Sequence, residues 1–176
     1  MTQQDTYQAF MLDYVAGALS PAMRTAATLH RLMTSEGDEA AELWEITRAE
    51  LLRQSEQGSE DVSFDPDIEA ALSLIHTDYD EVSWRRGVSG VHYSPRTTTG
   101  GQLMHLKPGQ SLFTHGHSAL EATVVLEGVF EDGLGTYVPG DIVLATPGLR
   151  HRPAAGGNSA CTCYVAKEST KFWRLT

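Results

Sequence analysis

The stretch from Gly109 to Gly128, GQSLFTHGHSALEATVVLEG, limits the folds open to this chain more than any other part of it. His115 and His117 stand one residue apart, and on an extended strand such a pair points to one face, about 6.6 Å apart. Ser118-Ala119-Leu120 is just long enough to turn the chain, so Glu121 enters the next strand beside them. Neutral imidazoles and a carboxylate are nitrogen and oxygen donors suited to Zn, Fe(II), Mn or Ni. A second string, Gly140 to His151 (GDIVLATPGLRH), supplies a strand, a Pro-Gly turn and a histidine at the head of the next strand. His151 is therefore the expected fourth ligand, and the four side chains need a β-framework to meet.

The surrounding sequence provides one. From Glu81 onward Val82, Trp84, Val88 and Val91 sit among glycines, and Gly100-Gly101 breaks the chain. Segments 102–106, 111–115, 121–127, 142–145 and 160–166 are short, rich in β-formers and divided by Pro-Gly, Gly-Asp and Gly-Gly turn signals. Short strands at this spacing predict an antiparallel barrel or sandwich.

The first 76 residues carry a different period. Residues 5–19 place Ala9, Phe10, Tyr14, Val15 and Leu19 at helical spacing. Ser20-Pro21 reads as an N-cap followed by proline at the first helical position, opening a helix that runs to about Ser35. Gly37-Asp38 is expected to stop it and to cap the next helix. From Glu39 to Gln54, Ala40, Leu43, Trp44, Thr47 and Leu51 form an apolar stripe. Residues 55–64 read as a polar linker, and Asp65-Pro66 caps a fourth helix through about Ile75. Helices this short bury little alone, so they should pack together or onto a partner. The fold class is α+β: a small helical domain over residues 1–77, then an antiparallel β-domain over 81–170.

Charge is divided in the same way. Residues 1–81 hold 17 acidic and four basic side chains, whereas 82–176 hold nine basic and six acidic, for a net charge of −10. An acidic half lacks the basic footprint that phosphates require, which argues against direct nucleic-acid binding and suits a basic protein partner. No apolar run approaches the roughly 18 residues of a membrane span. The first ten residues carry no basic start followed by an apolar stretch, so no secretory signal is expected. Two cysteines, Cys161 and Cys163, are too few for a disulfide scaffold and fit the cytoplasm. On a strand both thiols point to one face, at the upper limit of disulfide spacing (about 6.6 Å between Cα atoms); packing, a redox role and a metal-adjacent role are all open to them. His30, His76, His92 and His105 have no partner at ligand spacing and read as core or surface histidines.

Gly109-x5-His115-Gly-His117-x3-Glu121-x6-Gly128 resembles the first motif of the cupins, jelly-roll β-barrels, and Gly140-Asp141, Pro147 and His151 resemble the second. The second motif is one residue shorter between proline and histidine than the cupin pattern and has Ala154 in place of an asparagine. Over nearly the whole chain the sequence resembles ChrR-type anti-sigma factors. The likeness runs through Phe10–Ser20, Ala27–His30, Val82-Ser-Trp84, His115–Phe130 and Cys161-Thr-Cys163. It implies a zinc cupin held by His115, His117, Glu121 and His151. It also implies a helical domain that clamps an extracytoplasmic-function sigma factor, and a response to oxidative signals. One departure is large: the family's helical zinc site uses a histidine and a Cys-x-x-Cys pair, and here only His30 fits. Thr34 and Gly37 stand at the cysteine positions, and Asp5 or Thr6 stands near the family's early histidine. One histidine cannot close a structural zinc site, which needs four ligands.

Three functions follow. The first is a regulator whose acidic helices bind a sigma factor while the cupin, holding Zn(II) first and Fe(II), Mn(II) or Ni(II) otherwise, stabilises or senses. The second is an Fe(II) cupin dioxygenase or another small-molecule enzyme, for which Arg150, Arg152, Tyr137 and Tyr164 are the available polar side chains. The third is a metal sensor or small-molecule-binding cupin that has lost the sigma factor, its helices serving only to form a homodimer.

Overall fold

The computed structural model describes residues 2–54, 66–87 and 89–168; the linker expected at 55–64 and the Asp65 cap lie outside them. Four helices come first: α1 (Gln3–Val15), α2 (Pro21–Met33), α3 (Ser35–Gln54) and α4 (Pro66–Ile75). Eleven short strands follow: β1 (Arg85–Arg86), β2 (His92–Arg96), β3 (Gln102–Leu106), β4 (His115–Gly116), β5 (Glu121–Glu127), β6 (Phe130–Glu131), β7 (Thr136–Tyr137), β8 (Ile142–Ala145), β9 (Arg150–His151), β10 (Ala154–Ala155) and β11 (Cys161–Lys167). Every pairing is antiparallel. A six-stranded sheet runs β1-β2-β3-β11-β5-β8, a three-stranded one β10-β6-β7, and β4 pairs with β9 alone. No helix among the described residues is long and apolar enough to cross a membrane.

Local chemistry explains most helix ends. Thr2 and Asp5 form a capping box at the start of α1, each side chain taking the other's backbone N–H. α2 begins at Pro21 as expected, but the Ser20 hydroxyl donates to Glu168 (3.0 Å) rather than capping, which ties the helix to the end of β11. The expected stop at Gly37-Asp38 is displaced. The chain breaks at Thr34, whose backbone is extended and whose Oγ1 accepts from the Gly37 N–H at 3.0 Å, so Thr34 is the cap of α3. Gly37 lies inside the first turn because α2 crosses it there: a Cβ would stand 2.6 Å from the His30 carbonyl oxygen. The expected strand at 111–115 shrinks to β4 and one bridge between Ser111 and Ala154.

The six-stranded sheet is buried on both sides. Its inner face meets the smaller sheets in a barrel core of Val91, Leu106, Val125, Phe130, Cys161 and Cys163. Its outer face carries Leu103, Ala122, Val124, Leu126, Leu144 and Tyr164, which share a second core with Phe10, Met23, Ala26 and Leu29 of the helices. The period-2 alternation of β5 and β11 therefore separates two apolar sets, which is why both strands read as nearly unbroken apolar runs. The helices pack on each other and on the sheet, with α2 contributing eight buried residues as the central member. Arg24 on α2 and Asp67 on α4 add an ion pair at 2.6 Å.

The apolar stripe expected on α3 divides. Ala40, Ala41 and Trp44 pack inward, whereas Leu43, Ile46 and Leu51 are 57%, 69% and 63% exposed. Cys161 and Cys163 are fully buried free thiols with sulfurs 3.5 Å apart, and burial pushes the Cys163 thiol well above its ordinary value.

Candidate metal centre

Two strand ends and one turn assemble the site. In the β4–β9 ladder His115 lies directly opposite His151. His117 follows β4 on the same side, and its carbonyl accepts from the Gly148 N–H at 3.0 Å, hanging the Pro147-Gly148 turn on the histidine pair. Buried Leu120 ends the connecting turn, and Glu121 opens β5 opposite Ala145 on one side and Lys167 on the other. The four expected site residues thus come together: one donor atom from each of His115, His117, Glu121 and His151 lies within 4.8 Å of all the others. Among the described residues this is the one group of three or more His, Cys, Asp or Glu side chains arranged to hold a metal.

The three imidazoles form a triangle with ring centroids 4.7–4.9 Å apart. His115 Nδ1 faces the Phe113 carbonyl at 3.0 Å, which makes that nitrogen the N–H donor and leaves Nε2 with its lone pair. His117 Nε2 and His151 Nε2 are 2.8 Å apart. Two lone pairs at that distance repel unless a proton or a cation sits between them. Burial, with the neighbouring histidines, pushes the pKa values of both His117 and His151 down against the pull of Glu121. Burial thus disfavours the charged form of both rings, neutral imidazole is the form that ligates, and the donor set of three imidazoles and a carboxylate fits a divalent first-row metal.

Two further residues shape the site, and sequence reasoning missed both. Asp132, 1% exposed, accepts at Oδ1 from the Leu134 and Gly135 N–H groups at 2.8 and 2.9 Å. Its Oδ2 has no hydrogen-bond partner and stands 3.7 Å from His151 Nδ1, which has none either. A carboxylate behind a histidine holds the ring so that its far nitrogen faces the site. Lys167 Nζ is 2.9 Å from Glu121 Oε2. Asp132 stands outside both histidine motifs, so nothing local marked the aspartate.

The other histidines lie elsewhere. His105 Nδ1 is 3.0 Å from the Thr162 hydroxyl, its ring lies against Trp84, and it faces His92 across β2 and β3. His30 is satisfied at both nitrogens: Nδ1–H donates to the Gly140 carbonyl at 2.8 Å, and Nε2 accepts from the Tyr7 hydroxyl at 3.0 Å. Gly140, at φ 94°, lies against Met33 and Thr34, where a Cβ would meet Thr34 Cγ2 at 2.6 Å. The second motif's glycine thus seats the helices on the barrel.

Comparison with known proteins agrees with this layout. The ChrR cupin-like domain family matches residues 73–171. The anti-sigma-E factor ChrR of Cereibacter sphaeroides is 31% identical over 162 residues, spanning 90% of this chain and 71% of the relative. A solved structure of Rhodobacter sphaeroides SigE in complex with the anti-sigma ChrR superposes with a TM-score of 0.72 at 26% identity. That match covers 92% of this chain and 96% of the other, so it takes in the helical layer as well as the barrel.

Proposed function

The chain belongs to the ChrR cupin-like domain family, and on that footing we propose that it is an anti-sigma regulator holding an extracytoplasmic-function sigma factor on its helical layer. The observation that carries the proposal is the likeness of both layers, helices and barrel together, to a ChrR bound to SigE. In this reading residues 1–77 bind the partner and residues 81–170 bind the metal, and the protein works in the cytoplasm beside the polymerase.

The surface of α3 supports it. Leu43, Ile46 and Leu51 stand exposed on one broad side of the helix, flanked by Glu39 and Glu42, which make no ion pair among the described residues. An apolar strip rimmed by carboxylates suits a partner helix with an apolar centre and basic edges. His115, His117, Glu121 and His151 would hold the metal, with zinc the first choice. Such an ion would tie β4, β5 and β9 together, and we assign to this centre the response to oxidative signals.

The test is co-expression with the extracytoplasmic-function sigma factors of the same genome, followed by purification of any complex and titration. A stable pair is expected, and Leu43→Asp with Ile46→Asp should weaken it by about 100-fold, the scale of two buried anchor residues. Absence of binding at micromolar concentration, or a doubly substituted chain that binds equally well, would remove the proposal.

A further inference from the structure

An acidic chain has few cations to place, and this one gathers four of its 13 Lys and Arg side chains around one cavity. Arg85 and Arg86 reach it from β1, Arg96 from the end of β2 and Lys167 from the end of β11. The cavity, about 370 Å³, opens beside His115 and Glu121. That volume lies within the range of about 300–1,000 Å³ that small-molecule sites occupy.

The charge around it is uncompensated. Glu121 is the one acidic side chain on the wall among the described residues, and Lys167 already engages it at 2.9 Å. Arg85, Arg86 and Arg96 make no ion pair with any described carboxylate. Arg96 donates to the Gly100 carbonyl at 2.7 Å, which orders its side chain without neutralising it. Between the cations the wall is mixed: Met104, Leu112, Phe130 and Val165 give it an apolar part, and Tyr93, Gln102 and Thr123 a polar one.

We propose that this cavity binds a small organic carboxylate: the guanidinium groups at the mouth take the carboxylate, and a short apolar body fills the space toward Phe130 and Val165. A neutral ligand would leave the guanidinium groups without counter-charge. A bare inorganic anion would leave the apolar part of the wall, Phe130 and Val165 among it, wet. Guanidinium pairs carboxylate in a fixed, two-pronged geometry, which suits the edge strand that presents Arg85 and Arg86. The inference stands apart from sigma-factor binding, because the cavity is built wholly from strands and their loops.

Calorimetric titration of the zinc-loaded full chain tests it, with hexanoate and benzoate as probes. Hexanol and benzyl alcohol serve as neutral counterparts, and inorganic phosphate as the bare anion. Saturable one-site binding of a carboxylate, with a Kd of about 1 mM or tighter, is expected, with none for the alcohols or phosphate. Arg86→Gln with Arg96→Gln should weaken that binding by about tenfold or more, the loss of charge-assisted contacts, with zinc content and circular dichroism unchanged. Both arginines are exposed, and each single substitution is measured as well, so the test survives if the double variant folds poorly. No saturable carboxylate binding, equal binding of the alcohols or phosphate, or full affinity in the arginine variants would each overturn the proposal.

Discussion

His30 and His151 are both almost wholly buried, at 2% and 3% exposure, and both connect distant parts of the chain. Their surroundings differ in one respect. Each ring nitrogen of His30 has a partner of the complementary kind, the Tyr7 hydroxyl and the Gly140 carbonyl. Burial and Glu36 push the Tyr7 pKa up to about 12, so its hydroxyl stays a donor. His151 has an unpartnered Nδ1 near an equally unpartnered carboxylate oxygen, and its Nε2 faces a second imidazole nitrogen at 2.8 Å. A satisfied buried histidine is a bracket; an unsatisfied one among other donors is free to take a metal. Burial alone does not separate the two.

The comparison has several breaking points, and the largest is metal content. His151→Ala removes one of four converging donors, so zinc measured by mass spectrometry should fall from about one ion per chain toward none. His30→Ala should leave that content unchanged. Loss of zinc from the His30 variant would show that the two histidines are not distinct in kind.

Stability is the next measure. His30→Ala strands the Gly140 carbonyl, leaves the Tyr7 hydroxyl only its longer contact to the Glu36 carbonyl (3.4 Å), and opens a void between helices and barrel. We expect a loss of about 2–4 kcal/mol in urea unfolding, from about 1–3 kcal/mol for the stranded carbonyl with the cost of the void added. A loss below about 0.5 kcal/mol, the scale of a neutral surface change, would mean that the bracket holds nothing.

Asp132→Asn sharpens the other side of the contrast. Behind a metal-bound histidine the carboxylate sets the ring's orientation, so zinc affinity against a competing chelator should drop by about 10–100-fold with the fold intact. An unchanged affinity would make Asp132 only a turn residue.

The smallest effect is one of pH. Burial lowers the pKa of His30 below its ordinary 6.5, against raising contributions from the Gly140 hydrogen bond, Glu36 and Asp141. The unfolded chain therefore takes up this proton first as pH falls. The stability it represents is present above 6.5 and is lost as pH drops through the lowered folded value. The difference in urea midpoint between wild type and His30→Gln should accordingly shrink on going from about pH 7.5 to about pH 5.5. A difference that grew instead would show that the folded state charges His30.

How far the chain could be read without its fold depends on how local each signal was. The spacing from His115 to Glu121 and the return at His151 announced a β-site with four donors, because period-2 geometry and short turns act within a few residues. The helix start at Pro21 and strands at 102–106, 121–127 and 142–145 were legible for the same reason. Thr34 as a cap was not, since Gly37 looks like a stop until α2 is seen crossing it. Nor was the division of the α3 stripe, because nothing in the helix itself says which apolar residues meet α1 and α2. By itself, then, the sequence determined the kinds of element, the donor set and the acidic helical half. The tertiary structure alone decided that Asp132 stands behind His151, that His30 is bracketed by Tyr7 and Gly140, and that four cations surround one cavity. Each of these joins residues far apart in the chain, and such contacts leave no periodic trace along it.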